Sequence, residues 1–201
     1  MAHTVMGRSV YFITHPNVVI RREVPVPQWP LSELGLSRMS AGLKQPWVRE
    51  VTAVCCSAER KAIDGARILA QHLALNFTKF AELGENDRSA TGFLEPQEFE
   101  HVANAFFAHP HESVRGWERA IDAQERIVRA VEEAVRSNPG SGSISIVSHG
   151  AVGTLLYCHL AGEEIDRRWD QPANGGGNFF RFTLESPMAH SWWRPIDEPA
   201  I

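Results

Sequence analysis

Apolar residues occur along this chain in two patterns, short unbroken runs and longer stretches in which they return every three or four positions. The run Ser9–Thr14, SVYFIT, is β-branched and aromatic and stops at His15-Pro16, which predicts a buried strand ending in a loop. Ser32 then reads as the N-cap of a helix with Leu36, Met39 and Leu43 on one face, closed by Pro46. Val51–Cys56 predicts a second strand, and Ala62, Ala66, Leu69, Ala70 and Leu73 recur at helical spacing through residue 74. Residues 76–83 are expected as a third strand and 84–95 as a polar loop. Pro96 suits the first position of a helix with Phe99, Val102, Ala103 and Phe106 inside. The stretch 116–136 predicts the clearest helix, with Trp117, Ile121, Gln124, Val128, Val131 and Val135 as its stripe. Ile144, Ile146 and Val147 mark a fourth strand ending at Ser148-His149-Gly150, followed by an apolar helix over Val152–Leu160 and a fifth strand over Asn178–Leu184.

Strands that alternate with helices imply a mostly parallel sheet, because a parallel connection needs a crossover of a dozen or more residues. The expected fold is an α/β protein, a three-layer α/β/α sandwich. No repeat, low-complexity tract or long linker divides residues 1–201, so one domain is expected. Ligands of such sheets bind beyond the carboxyl ends of the strands, where His15, Ser57 and His149 all fall. The segments 15–30 and 84–115 would rim that site, with Trp29 and Phe93 free for substrate and Phe106 and Trp117 packed in the core.

Charge narrows the function. Twenty Lys and Arg against 24 Asp and Glu give a net charge of −4, which argues against a broad grip on nucleic acid or an anionic membrane. No apolar run approaches the roughly 20 residues of a membrane helix, and the first residues lack the plan of a signal peptide, so a cytoplasmic protein is expected. Cys55, Cys56 and Cys158 lack CxxC spacing and read as reduced, buried thiols. His109-Pro110-His111 has no ligand partners at metal spacing, and no metal is expected. The other histidines, His3, His72, His101, His159 and His190, read as surface or packing residues. GxSxG and GxxxxGK[ST] are both absent, and Gly175-Gly176-Gly177 reads as a turn.

The motifs resemble those of the histidine phosphatase superfamily, the phosphoglycerate mutase-like fold, over nearly the whole chain. Thr14-His15-Pro16 is similar to its Arg-His-Gly, Leu31-Ser32-Glu33-Leu34-Gly35 to its Leu-Thr-x-x-Gly, and the stretch from Cys56 to Ala66 to its Ser-Ser-x-x-x-Arg-Ala motif. Leu83-Gly84-Glu85, Ser148-His149-Gly150 and Asn174-Gly175 resemble its acid motif, its second histidine and its late Asn loop. The resemblance implies His15 as nucleophile, Glu85 as general acid with Glu82 as rival, and His149 as a charge-stabilising partner. It implies phosphate binding by Thr14, Ser57, Lys61 and Gly150, with no cofactor. Thr14, Pro16, Lys61 and Gly65 depart from the family's Arg, Gly, Arg and Thr, and two planar guanidinium forks are thereby lost. A branch with Thr-His-Pro and lysine looks similar. Arg60, Arg88, Arg21 and Arg22 are the candidates to restore the charge, Arg88 foremost.

The implied function is a phosphomonoester hydrolase that forms a phosphohistidine on a small phosphorylated substrate. A phosphoglycerate mutase-type phosphotransferase and a weakly catalytic phospho-ligand-binding protein are the alternatives. The tail from His190 to Ile201, with Trp192 and Trp193, either packs on the domain or forms a homodimer contact.

Overall fold

The two spacings in the sequence become strands buried on both faces and helices buried on one. The computed structural model describes residues 8–184 and 191–199. Six strands form one sheet in the order β3-β2-β4-β1-β5-β6: β1 (Ser9–Thr14), β2 (Val51–Cys56), β3 (Phe77–Lys79), β4 (Ser143–Ser148), β5 (Asn178–Thr183) and β6 (Arg194–Pro195). β1 to β4 run parallel, and β5 returns antiparallel beside β1. Alternate residues of β1 divide between two cores. Val10 and Phe12 pack with α3 (Pro96–Ala108), α4 (Ala120–Arg136) and α5 (Gly150–Ala161), whereas Tyr11 and Ile13 pack with α1 (Glu33–Gly42) and α2 (Arg60–Leu73). The result is the expected three-layer sandwich.

Several local expectations change. The third strand spans only Phe77–Lys79, and 81–83 turn into a 3-10 helix as Arg126 collects the carbonyl oxygens of Glu82, Gly84 and Glu85 at 2.7, 3.0 and 3.2 Å. α4 starts at Ala120 rather than 116, and its fully buried stripe is Ala120, Ala123, Ile127, Ala130, Val131 and Ala134. The small residues turn inwards because α5 packs directly against this face; Val128 and Val135 lie at its edge. Ser32 caps α1 as expected, accepting from Gly35 N at 3.1 Å.

Trp29 is held in place rather than free. It is 7% exposed, and its indole N–H donates to the carbonyl oxygens of Arg21 and Val24, at 2.9 and 3.0 Å. Trp193 is buried against Phe180, and Trp192 leans on Tyr157, so this part of the tail packs on the domain. His3 and His190 lie outside the described residues. The three cysteines are free and buried, and burial pushes the Cys55 and Cys56 thiols up to about 11 and about 12. No described helix is long and apolar enough to cross a membrane, and no described group of His, Cys, Asp and Glu could hold a metal ion.

Candidate active site at the strand ends

Strand register brings the two histidines together. Thr14 pairs with Ser148 in the parallel β1–β4 ladder, and His15 N continues it by donating to Ser148 O at 3.0 Å. The side chains that follow therefore emerge from neighbouring strand ends, with ring centroids 5.2 Å apart.

His15 Nδ1 lies 2.9 Å from Pro16 O. A carbonyl only accepts, so Nδ1 carries the proton and Nε2 keeps its lone pair. Burial, then the Lys61 charge, lowers the His15 pKa from 6.5 to about 4. The ring is thus neutral at physiological pH. The chain passes so close here that a Cβ at Gly176, where φ is +79°, would meet His15 O at 2.2 Å.

His149 is fully enclosed. Its Nε2 lies 2.7 Å from Ser57 Oγ and 3.3 Å from Glu59 Oε1, while Nδ1 is buried without a partner among the described residues. Burial drives its pKa well below 6.5. With His149 uncharged, Lys61 is the counter-ion of Glu59. Lys61 is 3% exposed and holds Glu59 Oε2 in an ion pair while donating to Val26 O at 3.0 Å. Burial pushes the Glu59 carboxyl up, but the Lys61 charge and hydrogen bonds from Lys61 and Glu85 N outweigh this and hold it below the usual carboxylate range.

Glu85 is carried in by the loop that Arg126 pins to α4. Its carboxylate accepts from Asn86 N, Val152 N and Ala151 N at 3.2, 3.1 and 3.3 Å, and so caps α5, which His149 leaves without a side-chain cap. A cavity of about 480 Å³ opens between these elements. His15, Glu85, Arg88, Gly150 and Gln171 line it, with Phe99, Phe107 and Trp117 among its apolar walls. The Arg88 guanidinium lies over Phe99 and Trp117, 5.1 and 5.6 Å from their centroids. Glu82 is exposed and lines a different cleft, so of the two rivals it is Glu85 that shares a cavity with His15.

The structure therefore brings His15, Glu85, Arg88 and Gly150 to the cavity, with Ser57 and His149 buried behind it. Other expected phosphate ligands are placed differently. Arg60 turns outwards, its side chain 56% exposed and paired with Asp64 one helical turn on. Lys61 is spent on Glu59. The Thr14 hydroxyl is tied inwards, accepting from Asn178 N at 3.0 Å and donating to Gln171 Oε1 at 2.6 Å. Arg22 pairs with Glu95, exposed at the rim. Sequence reasoning missed Glu59, Arg126 and Gln171. Glu59 lies inside a recognised motif but at a position the motif leaves open; Arg126 and Gln171 carried no local signal.

The family model for the histidine phosphatase superfamily (branch 1) matches residues 10–193. The chain belongs to the histidine phosphatase superfamily. Solved structures place this superfamily member among known relatives by fold. A mycobacterial glucosyl-3-phosphoglycerate phosphatase, solved with inorganic phosphate, is similar at 21% identity and a TM-score of 0.73, over 96% of this chain and 100% of that one. Bacillus stearothermophilus YhfR is similar at 23% identity and 0.73, over 91% and 94%. A mycobacterial protein described as hydrolase 2 is similar at 20% identity and 0.73, over 94% and 88%. No curated protein sequence matches this histidine phosphatase superfamily chain.

Proposed function

We propose that this chain is a phosphomonoester hydrolase that works through a phosphohistidine. One observation carries the reading: the His15 ring lines the cavity with its Nδ1 proton committed to Pro16 O, which frees the Nε2 lone pair for attack. In the first step Nε2 bonds to phosphorus as the ester P–O bond breaks, and the leaving oxygen takes its proton from Glu85. In the second, Glu85, now a carboxylate, takes a proton from water as the hydroxide bonds to phosphorus and the N–P bond breaks. This returns neutral His15 and protonated Glu85. Apart from the water, each proton or phosphoryl carrier in these steps is a side chain of this chain. Donors around the equatorial oxygens do the rest, since phosphoryl transfer is mostly positioning and electrostatics.

The walls favour an apolar leaving group. Trp29, Phe93 and Leu94 line a second cleft of about 260 Å³ that shares Arg88 and Phe99 with the first, so an aryl, alkyl or nucleoside phosphate would suit it. The closed Lys61–Glu59 pair favours one second reading, a protein that holds a phosphorylated ligand without turning it over.

Phosphate release from an aryl phosphate separates the two. We expect release by the native protein, a loss of about a thousandfold or more in His15→Ala, since the nucleophile is gone, and a loss of about a hundredfold in Glu85→Ala. Alkaline quench, in which a phosphohistidine survives, should trap phosphate on His15. No release across aryl, sugar and nucleotide phosphates would favour the binding protein.

A further inference from the structure

The formal charges at the strand ends nearly cancel. Both histidines are neutral, Lys61 is matched by Glu59, and Arg88 and Glu85 line the same cavity. A phosphate placed beside His15 must therefore draw much of its stabilisation from uncharged donors. Backbone amides at the start of α5 are partly taken, because Glu85 already accepts from Ala151 N and Val152 N.

One side chain on the cavity wall is built to supply such donors. Asn178 N donates to Thr14 Oγ1 at 3.0 Å, so the Thr14 hydroxyl is free to pass its own proton onwards. It does so to Gln171 at 2.6 Å, the length of a hydroxyl-to-oxygen hydrogen bond and short for an amide N–H, which makes the facing atom Oε1. Asn178 Nδ2 donates to the same oxygen at 2.9 Å. With Oε1 doubly held, Nε2 points the other way. It lies so close to Gly150 that a Cβ there would meet it at 2.5 Å, and no described residue accepts from it. Gln171, Gly150 and His15 line the same cavity.

We infer that the Gln171 carboxamide is a phosphate-binding group of this site, its Nε2 hydrogens directed at the phosphoryl oxygens, and that Thr14 is the positioning residue that orients it. The inference rests on the hydrolase reading for its reaction, but not for its binding, and the test separates the two. Position 14 thus acts on the phosphate through residue 171 rather than directly. A carboxamide offers two donors in a plane without adding charge, which suits a pocket whose nearby lysine is already paired.

Calorimetric titration with inorganic phosphate reads the inference whether or not the protein turns substrate over. Gln171→Met, which keeps the volume and removes the donors, should weaken phosphate by about ten- to a hundredfold, the worth of a hydrogen bond to a charged group. Gln171→Glu should weaken it further at pH 8. Relative to native protein at each pH, that loss should shrink towards pH 5 as the new carboxyl regains a proton it can donate. A merely structural Gln171 gives no such pH profile. Thr14→Val should follow Gln171→Met, and Thr14→Ser should keep native affinity. Circular dichroism checks folding, and because Thr14→Val also strips Asn178 N of its acceptor, the Gln171 variants decide if it fails to fold. Phosphate affinity within twofold of native in both Gln171 variants overturns the inference, as does native protein that binds no phosphate. Aryl phosphate turnover unchanged in His15→Ala would instead overturn the hydrolase reading and leave the titration to judge Gln171.

Discussion

The two histidines stand on neighbouring parallel strand ends, yet their surroundings assign them opposite work. His15 spends one nitrogen on a backbone carbonyl and offers the other to a cavity. His149 is sealed behind the wall, its Nε2 facing Ser57 and a carboxylate that Lys61 neutralises. The same residue type becomes a candidate nucleophile on one strand and part of a buried polar scaffold on the next. The difference lies in the partners that tertiary packing supplies, since each histidine simply follows a buried run of strand.

The comparison breaks most visibly on the scaffold side. Glu59→Gln leaves the Lys61 ammonium buried without its counter-ion, and losing one partner of a buried pair costs about 3–5 kcal/mol. For a chain of this size that corresponds to a fall in melting temperature of about 6–20 °C, measurable by calorimetry. Replacing both partners in Glu59→Gln/Lys61→Met should recover most of it. A single variant that melts with native protein would mean the pair is not buried in solution.

Acid should sharpen the contrast by a smaller amount. The folded pKa of His15, about 4, lies below its ordinary 6.5, so between those values the unfolded chain binds a proton that the folded chain refuses. Stability is therefore intact above pH 6.5 and falls as pH drops towards 4. His15 alone accounts for about 2 kcal/mol between pH 7 and pH 5. Urea melts of native protein and His15→Asn at both pH values should differ in their pH-dependent loss by that amount. Equal losses would place the His15 ring in contact with bulk water.

The smallest effects separate the arginines. Arg88→Met removes an arginine that lines both the His15 cavity and the aromatic cleft, and the aryl phosphate KM should rise by about tenfold, the worth of one charge-assisted contact. Arg60→Met should leave kcat and KM within about twofold, because an exposed ion pair on α2 is worth little and faces away. A large effect at Arg60 would mean that α2 presents a different face to the substrate.

Much of the fold was legible because each strand is short, apolar and bounded by a breaker, so β1 and β2 fall where their spacing predicts. The spacing misjudges α4 because four of the six residues on its buried face are alanines, which a search for large apolar residues passes over. The third strand was overextended because Arg126, more than 40 residues away, gathers the carbonyl groups of 82–85 into a turn. His15, His149 and Glu85 were legible as strand-end and motif residues. The fates of Lys61, Arg60 and Thr14 were not, since each depends on which long-range partner claims the side chain.

By itself the sequence determined where the elements lie and which loops carry polar residues, since hydrophobic spacing acts over neighbouring turns and strands. Only the tertiary structure decided which charges face the cavity. In a buried site a charge must find a partner, and partners such as Glu59 for Lys61 or Gln171 for Thr14 are chosen by three-dimensional packing.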